Sequence, residues 1–206
     1  MADLVGGRWP QYNPIDRMLD LSNATQGNIP ARSNVYYSGI NVLTDSATAA
    51  TKKGIFAAIP VEYGDVIKNV SVLVGATEGK TGVKSFVALY GGATAPKGKG
   101  KLLAQSKVAE VALKPSKGLT TELEKSVLIT SANAPFGYVY AGITVEATTI
   151  QTLVSFTAAT GTQYEWFPGA PEALAVEAAQ KGAGEAETEL TIEGKAFATV
   201  PLVFLT

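Results

Sequence analysis

Tyr138-Val139-Tyr140-Ala141-Gly142-Ile143-Thr144-Val145 is the stretch on which the fold assignment turns. Its residues alternate with a period of two, the repeat of a β-strand. Val139, Ala141, Ile143 and Val145 share one face, and Tyr138, Tyr140 and Thr144 share the other. Just before it, Asn133-Ala134-Pro135-Phe136-Gly137 carries the residues of a turn. The pair reads as a turn feeding a strand, with one face inward and the other outward.

The same signature recurs on both sides. Val35-Tyr36-Tyr37-Ser38-Gly39-Ile40-Asn41-Val42 is rich in β-branched and aromatic residues. Gly54 to Val61 passes through Pro60 and leads to the turn Tyr63-Gly64-Asp65, after which Val70, Val72 and Val74 share a face. Ser85 to Tyr90 sets Phe86, Ala88 and Tyr90 against Val87 and Leu89, and Lys101 to Ser106 follows a lysine-glycine loop. Glu124 to Thr130 and Leu153 to Phe156 read as further strands. Ala196 to Leu205 is strongly apolar, and Pro201, which has no N–H, assigns it to an edge or a bulge. Ala170 to Gly184 alone is compatible with a helix, through Ala173 to Ala179 with Gly182 and Gly184 as stops, though an alanine-rich loop fits equally. The expectation is an all-β protein, an antiparallel β-sandwich with Greek-key or jelly-roll connections.

Residues 1–34 differ from the rest. Pro10, Pro14 and Pro30, with the polar run Asn23 to Asn28, break regular structure. Such a segment buries too little apolar surface to order alone, so it reads as an extended docking arm anchored through Trp9, Tyr12 and Ile15. The β-sandwich domain is then 35–206. The start of the chain lacks the basic and apolar regions of a signal peptide, and no stretch approaches the roughly 20 apolar residues of a membrane span.

Composition narrows the chemistry. The 206 residues contain neither cysteine nor histidine. Disulfides, thiolate metal sites and the commonest general base are therefore excluded. Basic and acidic residues number 17 and 18, so no overall field directs the chain to nucleic acid. Charged residues make up only 17%, a profile suited to a protein with much surface buried against partners or to an extracellular β-domain.

Local motifs add little chemistry. Gly75-Ala76-Thr77-Glu78-Gly79-Lys80-Thr81 has one residue fewer between its glycines than a P-loop, and the strand pattern resumes after it. Lys97-Gly98-Lys99-Gly100-Lys101 reads as a solvated hairpin tip with no aromatic to stack a base. Glu185, Glu187, Glu189 and Glu193 read as a solvent-facing strand opposite a lysine-rich neighbour rather than a calcium site. The sequons at Asn23 and Asn69 carry no weight without a secretory signal. Tyr138 and Tyr140, with Tyr164 and Trp166, are candidate glycan or subunit contacts. No residue set reads as catalytic, cofactor-binding or metal-binding.

The stretch Phe56 to Phe156 resembles the β-sandwich of minor tail and other virion proteins of phages of actinobacteria. The likeness is carried by Pro60 to Ile67, Phe86 to Tyr90, Leu102 to Ser106, Ala134 to Gly142 and Val145 to Thr149. It implies a jelly-roll-like domain in a virion, made in the host cytoplasm. The implied partners are other virion proteins and copies of the chain itself, with a trimer as the expected symmetry, and a host-surface glycan for the exposed loops. A capsid decoration protein and a carbohydrate-binding module are the alternatives.

Overall fold

The structure, a computed structural model, describes residues 32–34, 43–47, 53–75, 84–92, 98–109, 118–146, 152–157, 173–181, 184–192 and 199–206. Strand β8, Tyr138–Glu146, has neighbours on both edges. It pairs antiparallel with β3, Lys53–Pro60, and with β5, Lys84–Tyr90. The sheet continues through β6, Gly98–Gln105, to β11, Glu189–Ile192, and ends on its other side at β10, Ala175–Ala179. Both faces of β8 are buried, contrary to the expected inward and outward split. Val139, Ala141, Ile143 and Val145 enter the larger core, and Tyr138 and Tyr140 enter a second one behind it.

The remaining strands form the other layer. β4, Val66–Leu73, pairs with β7, Gly118–Leu128, and β9, Leu153–Thr157, pairs with β2, Leu43–Ala47. β9 meets the end of β4 through a Val74–Leu153 bridge and the Gly75 N–H to Thr152 C=O bond of 2.8 Å. The layer thus orders β2, β9, β4 and β7 against β3, β8, β5 and β6. The chain changes layer at every connection from β2 to β9 except the β5–β6 hairpin. That is a jelly-roll-like antiparallel sandwich. Ile55, Ile59, Ile67, Val70, Val72, Val87, Leu89 and Ile143 fill the space between the layers.

The last residues wedge into this layer. β12, Thr199–Pro201, pairs with β9, and β13, Val203–Leu205, pairs with β4. Pro201 therefore sits where the chain passes from one partner to the other, in agreement with its reading as a bulge or edge residue. Leu202 keeps a bond to Val154 C=O at 2.9 Å. The side chain of Asn34, wholly buried, serves the break on either side. Its Nδ2 donates to Pro201 C=O at 2.7 Å, and its Oδ1 accepts from Val203 N–H at 3.0 Å. β1, Arg32–Ser33, pairs with β13 just before it, so the end of the 1–34 stretch is built into the sandwich.

Two local expectations change. Ala175–Ala179 is a strand, not a helix or loop. Helix preference amounts to only tenths of a kcal/mol per residue. Pairing with the open edge of β3 satisfies a row of backbone groups and buries Ala173, Ala175 and Val176. The lysine-glycine segment from Gly98 is strand β6 rather than a hairpin tip. Gly100 is required there, because a Cβ would collide with the carbonyl oxygen of Gly91.

Replacing Asn34 by Ala leaves a buried carbonyl and a buried N–H unpaired, each worth about 1–3 kcal/mol. Asn34→Ala is expected to lower unfolding stability by roughly 2–4 kcal/mol, read from the denaturant midpoint. A loss within ~0.5 kcal/mol would show that the break is not held by this side chain.

Candidate interaction surface

The turn between β3 and β4 is built from Glu62, Tyr63, Gly64 and Asp65. Asp65 N–H closes it on Glu62 C=O at 3.1 Å, and Gly64 takes φ +98°, a conformation that disfavours a side chain. The Asp65 carboxylate accepts Glu62 N–H at 2.9 Å, an Asx-type lock. Arg32 then grips the same carboxylate with two donors, Nε at 2.8 Å and Nη2 at 3.0 Å. Its Nη2 also lies 3.1 Å from Glu62. Burial alone would lower the guanidinium pKa, but Asp65 and Glu62 outweigh it and hold the value above the ordinary one. The two-point grip joins the start of the described chain to the turn.

Four large apolar side chains in the β3–β4 turn, at the adjoining ends of β4 and β7, and in the loop before β8 are exposed. Tyr63 is 58% exposed, Leu128 55%, Val66 39% and Phe136 38%. Val66 and Leu128 are direct cross-strand partners. The next rung joins Asp65 C=O and Gly64 N–H to Ile129 at 2.8 and 2.9 Å. Tyr63 Oη reaches Pro135 C=O at 3.4 Å, beside Phe136. Val66 and Leu128 lie on the outer face of the β4–β7 pair, whereas Phe136 stacks on Tyr138 of the second core with ring centroids 6.3 Å apart.

Tyr138 and Tyr140, the sequence candidates for contact, do share a face, as their spacing requires. That face is interior: they are 2% and 0% exposed. Their rings meet edge to face at 5.7 Å, and Tyr140 Oη donates to Ala173 C=O at 2.8 Å. They form no exposed aromatic row in the single chain. Tyr164 and Trp166 lie outside the described residues, as do Trp9, Tyr12 and Ile15.

The second core holds a buried polar group that sequence reasoning did not single out. Tyr90, packed edge to face on Phe56 at 5.0 Å, donates its hydroxyl to Glu187 C=O at 3.0 Å. Gln180 Oε1 accepts Glu187 N–H at 3.1 Å, and Gln105 binds Gly184 C=O and Ala186 N–H at 3.1 and 2.9 Å. Burial pushes the Tyr90 phenol up to about 12, with the Gln180 bond opposing and the Glu187 charge adding to the rise.

Of the acidic run only Glu189 lies in a strand opposite a lysine-bearing one; Glu185 and Glu187 precede β11, and Glu193 lies outside the described residues. Glu189 of β11 meets Lys99 of β6 at 2.8 Å, which lowers the carboxyl pKa and raises that of the ammonium. Glu185 faces Lys181 at 3.8 Å. No cluster of three or more acidic side chains that could hold a metal ion occurs among the described residues. No protein-family model matches the chain, and no curated protein is similar to it.

The Arg32 grip was invisible in sequence, because Arg32 and Asp65 are 33 positions apart. Only the Tyr63-Gly64-Asp65 turn could have hinted at one side of it. Arg32→Met is expected to cost about 1–3 kcal/mol, below the loss from breaking a fully buried pair. Arg32→Lys should restore only part of this, since an ammonium cannot make the two-point contact. Equal stability of Arg32→Lys and the parent chain, measured by urea unfolding, would contradict the bidentate account.

Tyr90 makes a pH prediction. The unfolded phenol ionises near pH 10, and the folded one holds its proton to about pH 12. The contribution is complete below pH 10 and is lost as pH rises through the interval. Tyr90→Phe should lose about 1 kcal/mol at neutral pH, yet decline less than the parent between pH 9 and 11. Parallel declines in denaturant titrations would exclude Tyr90 as the source.

Proposed function

We propose that the protein is a virion structural component of a phage of actinobacteria, part of the tail or a fibre. It acts by binding, in assembly and in contact with the host surface, and makes or breaks no bond. The observation that carries this reading is the jelly-roll-like antiparallel sandwich, with Tyr63, Val66, Leu128 and Phe136 exposed on it. Jelly rolls recur in capsid and lectin domains, where rigid sheets present loops and ends to partners. Burial of Tyr138 and Tyr140 within the single chain takes both out of a glycan platform and out of a subunit contact alike. Contact between copies, in a trimer, relies on apolar burial and backbone pairing.

Two measurements test the reading. Peptides of this chain should be found by mass spectrometry in purified phage particles, with immunogold label on the tail. Light scattering of the isolated chain should give three times the 21.4 kDa monomer mass. Absence from particles would sink the virion reading. A monomer at all concentrations would remove the trimer.

A further inference from the structure

We propose that Arg32–Asn34 is the strap of a clasp. The strap and Val203–Thr206 open together, as one unit, while the rest of the sandwich stays folded. This is a conformational device of the single chain, and it is independent of the assembly reading.

Three remote segments bind one another in a closed circuit. β1 pairs with β13, with Arg32 opposite Leu205 and Ser33 opposite Phe204. β13 pairs in turn with β4, with Val203 opposite Val72 and Leu205 opposite Val70. Just beyond, Lys68 N–H and Asn69 N–H both donate to Thr206 C=O at 2.7 Å, two bulged residues on one carbonyl. Thr206 N–H donates back to Asn69 C=O at 3.1 Å, and Asn69 Nδ2 donates to Thr206 Oγ1 at 3.2 Å. The turn that leads into β4 closes the circuit, because its Asp65 holds Arg32 by two donors. Each segment is thus held by the other two. Groups that share partners in this way are coupled, so loosening one loosens the rest.

The unit has a boundary at Pro201. On one side, Thr199–Pro201 pairs with β9, and Leu202 N–H binds Val154 C=O at 2.9 Å. On the other, Val203 onward pairs with β4. The two ladders are separate, so the half on β4 can lift while the half on β9 stays in place. The Asn34 amide spans the break, from Pro201 C=O to Val203 N–H. Release of the strap removes that tie as well. A strand of two residues contributes little pairing, so the side chains of Arg32 and Asn34 carry much of the strap's hold.

Native-state hydrogen exchange on the full chain, read by NMR residue by residue, tests the clasp. The amides of Lys68, Asn69, Val203 and Thr206 should share one opening free energy, below that of Ala141 and Ile143 in β8. Arg32→Met and Asn34→Ala should each lower protection of all four about tenfold, although the Arg32 guanidinium is bound to the turn and not to these amides. Arg32→Lys, the milder change, should give a smaller fall at the same four. Tyr90 bonds to Glu187 in the second core, and opening of the clasp leaves that bond intact. Tyr90→Phe should therefore lower protection in β8 and leave the four amides within about twofold of the parent. A fall confined, in Arg32→Met, to the amides of the Glu62–Asp65 turn would mean independent fraying and would overturn the proposal. Four amides that follow β8 in Tyr90→Phe would overturn it too, since they would then exchange only through global unfolding.

Discussion

The sheet of β10, β3, β8, β5, β6 and β11 has two faces to bury, and the facing layer can cover only one. The other face carries Phe56, Phe86, Tyr90, Tyr138 and Tyr140, which water would solvate poorly. Cover comes from the sheet's own edges. β10 and β11, at opposite ends of the sheet, come into contact, and residues 184–188 lie bonded across the interior. The tyrosines make this arrangement exacting. Burying an aromatic side chain gains about 1.5–3 kcal/mol, and an unpaired buried hydroxyl costs about 1–3 kcal/mol. Tyr90 and Tyr140 are a net gain because Glu187 and Ala173 offer carbonyls at the right places.

The same accounting of backbone groups explains the far side. A proline at the end of β12 removes a donor, and the crossing from β9 to β4 interrupts the ladder. Asn34 repairs both sides of the break with one amide. Two positions earlier, Arg32 is held by the β3–β4 turn. The short stretch Arg32 to Asn34 therefore fastens the sandwich's C-terminal strand and one of its turns together. It also fixes where the preceding 31 residues begin.

The strands were legible because their signal is local. Alternation at Tyr138 to Val145 fixes which residues share a face, whatever lies against that face. Turn chemistry at Tyr63-Gly64-Asp65 and Asn133 to Gly137 marks where strands end. Pro201 announced its edge strand because a missing N–H has the same consequence in any sheet. The alanine run at Ala173 to Ala179 misled for the opposite reason. Alanine's preference for helix is weak, and the open edge of β3 outweighs it. The lysine-glycine segment looked like a loop, yet Gly100 is there because the backbone of Gly91, just past β5, comes close.

Sequence by itself determined the all-β class, the faces of the strands, and the absence of histidine and cysteine chemistry. These depend on residue identity and on a two-residue period. Only the tertiary structure decided that the tyrosine face is interior and that Arg32 grips Asp65. It alone decided that Asn34 mends the Pro201 break, and that Tyr63, Val66, Leu128 and Phe136 are exposed. Each of these depends on which distant segment covers a group, and the pairing of distant segments leaves no periodic trace in the chain.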